Sequence, residues 1–289
     1  GRAGALIDRV VARRLAPTGK RAAIVGAGPA GLACGYYLAM LGHGVMIYDR
    51  NAEAGGMLRY ALPEYRLPNP VLDREIGLIR RMGVEFTFNT EVGKDIQVSD
   101  LAQQYDAVFL ALGTWKETRL DLPGSELKGV LSALALLEAV AKHQPVELGE
   151  RVVVIGGGNA AIDSARTALR LGAKVTILYR RERKDMPAIP EETEAAEAEG
   201  AGIVFLVAPH RIIGAADGRV QAVEMLKTRL GDYDTSGRRR PTLTDEIVRF
   251  ECDSVILAVG ETVDRDFVRQ AGLKSQDWGA VAVDRYTLE

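Results

Sequence analysis

The sequence contains few of the residues that build redox dithiols and metal centres. Its two cysteines, Cys34 and Cys252, are far apart and form no C-x-x-C motif. A redox-active dithiol and a cysteine-ligated iron–sulfur cluster are therefore excluded for this chain, and both thiols are expected to be buried and structural. The three histidines, His43, His143 and His210, are scattered and have no metal-ligand spacing.

An excess of one charge and long apolar runs are also missing. The chain has 37 basic and 39 acidic residues among 289, and the net charge of −2 predicts no binding to nucleic acid. Its longest apolar stretch, residues 129–141, is too short to cross a membrane and includes Glu138. The basic N-terminal segment lacks the apolar region of a signal peptide. We therefore expect a cytoplasmic protein without membrane insertion, long enough for two domains.

Apolar, strand-like runs alternate with helix-like patterns along most of the chain. This alternation is typical of doubly wound parallel sheets. A second unit that begins at Arg151 repeats the plan of the first, and the strand-like run at 253–260 mirrors the run at 106–113. The sequence therefore predicts an α/β protein with two Rossmann-like, three-layer dinucleotide-binding domains.

The first glycine-rich loop, GAGPAG, follows a strand-like run and opens a helix. Gly26 suits a tight turn, Gly28 allows the backbone to approach a pyrophosphate, and Gly31 allows the helix to pack closely on its strand. Asp49, at the end of the next strand, can accept hydrogen bonds from both ribose hydroxyls of a dinucleotide. Strand, loop, helix and terminal acid together predict a dinucleotide site rather than a simple turn.

The second loop, GGGNAA, contains Gly156 and Gly158 and differs from the first at the end of the following strand. Arg180 stands there in place of an acid. An arginine can bind a 2′-phosphate through charged hydrogen bonds, whereas a carboxylate would repel it. We therefore predict NADP(H) rather than NAD(H) at this loop. The alternative is that Arg180, Arg181 and Arg183 form only a solvated basic surface.

Two dinucleotide sites in one chain suggest a redox reaction between two cofactors. NADPH delivers two electrons as a hydride, and FAD, whose ADP half suits the loop with Asp49, can receive them. Because the cofactors supply the reacting atoms, no catalytic side chain is predicted, and the scarcity of histidine is consistent with that.

Residues 18–68 and 152–192 resemble the FAD and NADPH domains of a known family. This family comprises the small (β) subunit of NADPH-dependent glutamate synthase and its relatives, among them the FAD/NADPH part of dihydropyrimidine dehydrogenase and the large subunit of ferredoxin:NADP transhydrogenases. The resemblance implies the two-dinucleotide-binding flavoprotein fold with a discontinuous FAD domain. The implied division is an N-terminal helix or linker at 1–17, an FAD domain at 18–145, an NADP(H) domain at 146–262 and a return to the FAD domain at 263–289.

The resemblance also implies which residues contact each cofactor. For FAD these are Gly26, Gly28, Pro29, Ala30 and Gly31 along the pyrophosphate, Asp49 and Arg50 at the ribose, Gly55, Gly56, Met57, Leu58 and Arg66 along the rest of the molecule, Val92 at the adenine, and Ala111 to Gly113. For NADPH they are Gly156, Gly158, Asn159, Ala160, Asp163, Arg180, Arg181 and Pro187, and Gly260 is counted with the cofactor sites. The alternatives are a surface loop at 55–68 and ordinary strand ends at 111–113 and 258–260.

The chain departs from the family pattern at both ends. Family members have a cysteine-rich, iron–sulfur-binding domain before the first glycine loop and a Gly-Asp motif beside the flavin after the return strand. Here a short helical segment precedes the first loop and the sequence ends at VDRYTLE. We therefore expect an FAD domain that lacks its C-terminal segment.

The leading functional hypothesis is an electron-input module. In it, NADPH reduces FAD and electrons leave through an iron–sulfur cluster on a partner domain or subunit. One alternative is two-electron reduction of a small substrate or quinone, and another is a non-catalytic NADP(H)-binding module. Outside these motifs, the arginine-rich turn at 237–241 is expected to be a solvated loop or a docking site for an acidic partner. Trp115 and Trp278 are expected to be packing or interface residues.

Overall fold

Two parallel sheets, each with a glycine-rich loop, organise the chain. The computed structural model describes residues 11, 13–118, 120–234 and 237–287. The strands are β1 Arg21–Val25, β2 Gly44–Tyr48, β3 Val84–Thr87, β4 Ala107–Leu110, β5 Lys116–Glu117, β6 Val130–Ser132, β7 Arg151–Ile155, β8 Lys174–Tyr179, β9 Gly202–Phe205, β10 Val207–Gly214, β11 Val220–Tyr233, β12 Arg239–Glu251, β13 Ser254–Leu257 and β14 Glu261–Thr262. The helices are α1 Pro29–Met40, α2 Met57–Tyr60, α3 Asn69–Arg81, α4 Val98–Gln104, α5 Ala133–Ala141, α6 Asn159–Arg170, α7 Pro190–Ala198 and α8 Arg265–Gln270.

The chain divides into two units that differ from the predicted domains in their boundaries. The first unit comprises Gly1–Lys116 and Glu261–Glu289, and the second comprises Glu117–Gly260. Residues 117–145 therefore belong to the second unit, because β6 pairs in parallel with β13 of that unit. Most of the predicted helix at 1–17 lies outside the described residues.

The first unit is built on a four-stranded parallel sheet of order β3-β2-β1-β4. Residues 22–25 of β1 are all buried, as expected for a central parallel strand that is covered on both faces. Ile24 of β1 and Ile47 of β2 pack in one core with α1 and α3. Gly35 of α1 allows this close approach, since a methyl group added there would lie 3.0 Å from Cδ1 of Ile47.

The second unit combines a five-stranded parallel sheet of order β6-β13-β7-β8-β9 with an antiparallel sheet of order β10-β11-β12. The parallel sheet confirms the predicted doubly wound plan. The antiparallel sheet includes β11 and β12, which flank the polar turn near residues 231–241. The apolar run at 202–209 is not one strand, because Leu206 adopts a φ of 61° and separates β9 from β10.

Ion pairs fix α6 to both ends of α7 in the second unit. The guanidinium of Arg166 binds Glu192 and also Glu199, the latter at 2.6 Å. Arg170 binds Glu199 at 2.7 Å. Hydrogen bonds from these two arginines lower the pKa of Glu199 to about 2. The network therefore stays charged at neutral pH and holds α7 against α6.

None of the described helices has both the length and the apolar composition that a membrane span needs.

Candidate cofactor sites

The glycines of the first loop fall into two groups according to what surrounds them. Gly26 has a φ of 107°, and a methyl group added to it would overlap the carbonyl oxygen of Ala111. A methyl group added to Gly31 would overlap the carbonyl oxygen of Gly26. These two glycines are required by the fold. At Gly28 the nearest atom to an added methyl group is Cα of Gly56, 3.8 Å away, so the chain itself leaves this position open.

Helix α1 begins directly after this open position. Its N-cap is Gly28, which has no side chain to accept the first helical N–H groups. These donors and the positive end of the helix dipole are an environment that suits a phosphate. The absence of a side chain at Gly28 therefore fits an anionic ligand that approaches the backbone.

A cavity of about 520 Å³ opens at the first loop. Twelve of the residues predicted to contact FAD line it. They are Gly26, Gly28, Pro29, Ala30, Asp49, Arg50, Gly56, Met57, Val92, Ala111, Leu112 and Gly113. The structure thus brings together the loop, the end of β2, the start of α2 and the segment after β4, although these parts are far apart in sequence.

Five predicted residues do not line this cavity. Gly31 packs α1 on the loop, Gly55 donates its N–H to Ala27, and Leu58 packs in the core. Arg66 lies outside the lining residues. Gly260 belongs to the second unit, where its carbonyl accepts a hydrogen bond from the Thr118 N–H at 2.9 Å.

Asp49 is held at the edge of the cavity and is only 8% exposed. One carboxylate oxygen accepts a hydrogen bond from the Ala27 N–H at 2.7 Å, and the other accepts from the Asn51 N–H at 2.8 Å. A carboxylate has about four acceptor positions, so two remain for ligand hydroxyls. The backbone bonds fix the orientation of this side chain before any ligand binds.

Several cavity residues were not predicted. These are Val25, Tyr48, Asn51, Thr90, Glu91, Leu110, Thr114, Trp115, Asp264 and Phe267. Asp264 and Phe267 come from the start of α8, after the chain has returned to the first unit. Trp115, expected only to pack or to form an interface, lies beneath the guanidinium of Arg50, whose central carbon is 5.0 Å from the ring centroid.

The Arg50–Trp115 pair leads to a prediction about FAD affinity. Trp115→Ala removes one aromatic wall of the cavity and is expected to raise the Kd for FAD about tenfold, as for loss of a stacking contact with a base. Trp278→Ala is the matched control, because Trp278 is 58% exposed and does not line the cavity. Titration of the apoprotein with FAD measures both variants. Equal affinity of Trp115→Ala and the parent protein would contradict a ligand contact at Trp115.

The glycines of the second loop also fall into two groups according to what an added methyl group would meet. A methyl group added to Gly156 would overlap the carbonyl oxygen of Ala258, and one added to Gly157 would overlap the ring of Tyr179. At Gly158, the N-cap of α6, the nearest atom is Cγ of Pro187 at 3.9 Å. A methyl group at Gly158 would therefore fit in ordinary van der Waals contact with Pro187, beside the N–H groups of α6.

The segment before α7 folds over this loop. The Ala188 N–H donates to the carbonyl of Gly157 at 3.2 Å, and the Ile189 N–H donates to the side-chain carbonyl of Asn159 at 2.9 Å. Ala160 lies next to Asn159 in the first turn of α6, whereas Asp163 is 4% exposed within that helix. Asn159 is therefore used by the protein itself, and Asp163 is not accessible at the loop.

The arginines after β8 have different environments. Arg180 is exposed, and within the part of the chain that the structure describes its side chain has no hydrogen-bond or ion-pair partner. The guanidinium of Arg181 is buried; it donates to the carbonyl of Arg239 at 2.7 Å and to the carboxylate of Asp234 at 2.8 Å. Arg183 binds Glu197. Two of the five donors of Arg181 are thus bound within the protein and the residue is 4% exposed, and its contact with a phosphate stays a prediction.

Residues 20–288 match the family description "Pyridine nucleotide-disulphide oxidoreductase". The chain belongs to the pyridine nucleotide-disulphide oxidoreductase family. This assignment confirms the prediction of an oxidoreductase, and the relatives below confirm the predicted resemblance.

Two curated relatives illustrate the place of the chain in this family. Subunit beta of the NADPH-Fe(3+) oxidoreductase of Geobacter sulfurreducens is 43% identical over 279 residues, which cover 93% of this chain and 41% of that protein. The glutamate synthase [NADPH] small chain of Escherichia coli is 42% identical over 258 residues, which cover 84% of this chain and 54% of that protein. The chain thus spans roughly half or less of these relatives' lengths.

A solved structure shows the same fold at lower identity. FprA from Mycobacterium tuberculosis in complex with NADPH superimposes with a TM-score of 0.76 at 22% identity, over 89% of this chain and 73% of that chain. This similarity confirms the predicted two-dinucleotide-binding fold class.

This member of the pyridine nucleotide-disulphide oxidoreductase family has no cysteine pair suited to disulphide chemistry. Both cysteines are free thiols: Cys252 of the second unit is buried as predicted, whereas Cys34 of the first unit is only half-buried. Burial raises the pKa of Cys252 to about 12 and also raises the pKa of Cys34. Both thiols are therefore protonated at neutral pH, as expected for structural cysteines.

Proposed function

We propose that the chain is an electron-input module that holds FAD in its first unit and NADP(H) in its second. The observation that carries this proposal is the contrast between the two strand ends. A fixed carboxylate, Asp49, lies at the first glycine loop. The guanidinium of Arg180, which has no partner among the described residues, lies at the second. When bound, NADPH supplies a hydride, and FAD accepts two electrons and releases them singly to an acceptor.

The first unit suits the ADP half of FAD. Gly28 leaves room at the start of α1 for the pyrophosphate, and the free acceptor positions of Asp49 suit the ribose hydroxyls. Arg50 and Trp115 provide a flat surface in the same cavity. An acid at this strand end disfavours a 2′-phosphate, which supports FAD over NADP(H) here.

The second unit suits NADP(H). Gly158 leaves the pyrophosphate position open at the start of α6, and Arg180 can donate charged hydrogen bonds to a 2′-phosphate. The NADPH in the FprA complex and in the printed names of the two relatives supports this choice of nucleotide.

We further propose that the electrons leave to an iron–sulfur centre on another domain or subunit. The names of the relatives identify one as a subunit beta and the other as a small chain, so each works with a further chain. The chain has two cysteines, one in each unit, whereas a cysteine-ligated cluster needs four. A one-electron acceptor must therefore be supplied from outside residues 1–289.

Arg180→Ala tests the nucleotide assignment. We expect its KM for NADPH to rise about 10- to 100-fold while its KM for NADH changes less than about twofold, because hydrogen bonds to charged groups contribute about 1.5–3 kcal/mol. Ferricyanide reduction with each nucleotide measures both constants. Arg183→Ala is the control for general electrostatics, since Arg183 is bound to Glu197. An equal increase of KM for both nucleotides, or an unchanged KM for NADPH, would overturn the assignment.

A further inference from the structure

The hairpin formed by β11 and β12 is joined to the end of β8 by buried polar contacts. The guanidinium of Arg181 donates to the carboxylate of Asp234 at 2.8 Å and to the carbonyl of Arg239 at 2.7 Å. The Arg181 side chain is 5% exposed and that of Asp234 is 20% exposed, so this ion pair is largely shielded from water. Arg181 and Asp234, 53 positions apart in sequence, are thus bound to each other near the second glycine loop.

The backbone of the same strand end is also tied to the hairpin. The Thr228 hydroxyl donates to the carbonyl of Arg180 at 2.9 Å, and the Leu206 N–H donates to the carbonyl of Arg181 at 3.3 Å. The Thr228 N–H donates in turn to the carbonyl of Leu206 at 2.8 Å. The backbone that carries the exposed Arg180 side chain is therefore held by β11 on one side and by the Arg181 side chain on the other.

Asp234 and Arg239 also close the hairpin itself. The Asp234 N–H donates to the carbonyl of Arg238 at 2.7 Å, and the Arg238 N–H donates to the Asp234 carboxylate at 3.2 Å. The Arg239 guanidinium donates to the carbonyls of Leu230 and Gly231 at 2.6 and 3.2 Å. The arginine-rich turn is therefore not simply a solvated loop, because Arg239 links the two strands of the hairpin and provides the carbonyl that Arg181 binds.

We infer that Arg181, Asp234 and Arg239 form a clamp that orients Arg180 toward the 2′-phosphate of NADP(H). Arg181 and Asp234 are then positioning residues for nucleotide specificity and do not contact the nucleotide. This inference rests on the proposed function, because it assumes that Arg180 is the phosphate ligand.

The substitution Asp234→Ala distinguishes this inference from the simpler one in which Arg181 binds the phosphate itself. If Arg181 were a direct ligand, Asp234→Ala would free its guanidinium and remove a negative charge, so NADP⁺ would bind as tightly as before or more tightly. If the clamp orients Arg180, Asp234→Ala instead weakens the binding of NADP⁺. NAD⁺ lacks the 2′-phosphate, so its affinity stays unchanged in either case.

Isothermal titration of the full chain with NADP⁺ and with NAD⁺ tests the clamp. We expect Asp234→Ala and Arg181→Ala each to lower the NADP⁺/NAD⁺ affinity ratio about tenfold, and the double variant to lower it no further, as for two residues that act as one unit. Asp232→Ala is the matched control, since Asp232 is an exposed acid on the same hairpin and has no ion pair with a described residue. Its ratio is expected to stay within about twofold of the parent protein, as for a distant surface charge.

Each remaining outcome has a defined meaning. An unchanged or increased NADP⁺/NAD⁺ affinity ratio in Asp234→Ala would overturn the clamp. An equal loss of affinity for both nucleotides would overturn it too. If Asp234→Ala does not fold, Asp234→Asn replaces it, because asparagine keeps the shape and one acceptor atom but loses the charge; an unchanged ratio in that variant also overturns the clamp. A parent protein that binds NADP⁺ no more tightly than NAD⁺ would contradict the proposed function before any variant is compared.

Discussion

Gly28→Val is expected to give a protein that folds but is isolated without FAD. Among the described residues the nearest atom to a methyl group at residue 28 is Cα of Gly56, in ordinary van der Waals contact at 3.8 Å, so the apoprotein has space for the first carbon of a side chain here. The pyrophosphate does not, because it must approach the backbone at this residue. We expect the Kd for FAD to rise at least about 100-fold, a loss of about 2.7 kcal/mol.

Measurement of bound flavin per chain, followed by titration of the apoprotein, checks this prediction. Gly77→Ala is the matched control, since Gly77 also has open space around it but lies in α3, away from the first loop. Gly31→Ala is the opposite case and is expected to fold poorly, because its methyl group would overlap the carbonyl oxygen of Gly26. The apoproteins must be compared in thermal unfolding, since bound FAD itself stabilises the folded state. Normal FAD content in Gly28→Val would refute the cofactor role of this loop.

Gly158→Val is expected to leave FAD bound and to abolish reduction by both NADPH and NADH. Among the described residues, Cγ of Pro187 is the only atom within 4 Å of a methyl group at this residue, in ordinary van der Waals contact at 3.9 Å, so we expect the second unit to fold around it. The pyrophosphate is common to both nucleotides, and we expect kcat/KM to fall at least about 100-fold with each of them. The two second-loop variants thus have different expected kinetics. Gly158→Val loses activity with both nucleotides at limiting concentration, whereas Arg180→Ala loses it with NADPH only.

Steady-state ferricyanide reduction at limiting nucleotide measures the effect of Gly158→Val, and flavin absorbance confirms that FAD is retained. Loss of FAD from this variant, or normal kcat/KM with NADPH, would show that the second loop does not hold the reductant.

The features that could be predicted from the sequence are those encoded by neighbouring residues. Each glycine loop, its strand and its helix lie within about 30 consecutive residues, and the spacing of Gly26, Gly28 and Gly31 gives each glycine its own physical role. The structure separates those roles sterically: Gly26 and Gly31 have no room for a methyl group, whereas Gly28 does.

The features that could not be predicted depend on contacts between distant residues. The boundary at Lys116 follows from the pairing of β6 with β13, more than 100 residues later. Phe267 lines the first cavity because α8 returns to the first unit. Nothing in the run of arginines after β8 indicates that Arg181 is buried while Arg180 is exposed. The partner that decides this, Asp234, directly follows β11 and is 53 positions away in sequence.

Anaerobic mixing of the FAD-loaded protein with NADPH tests the central claim most directly. The absorbance of oxidised flavin, followed in a stopped-flow instrument, reports whether electrons from the nucleotide of the second unit reach the flavin of the first. We predict loss of that absorbance with NADPH and a rate at least about tenfold lower with NADH at the same limiting concentration, as expected from the charged hydrogen bonds of Arg180. An unchanged flavin spectrum at saturating NADPH, or equal rates with the two nucleotides, would contradict the account.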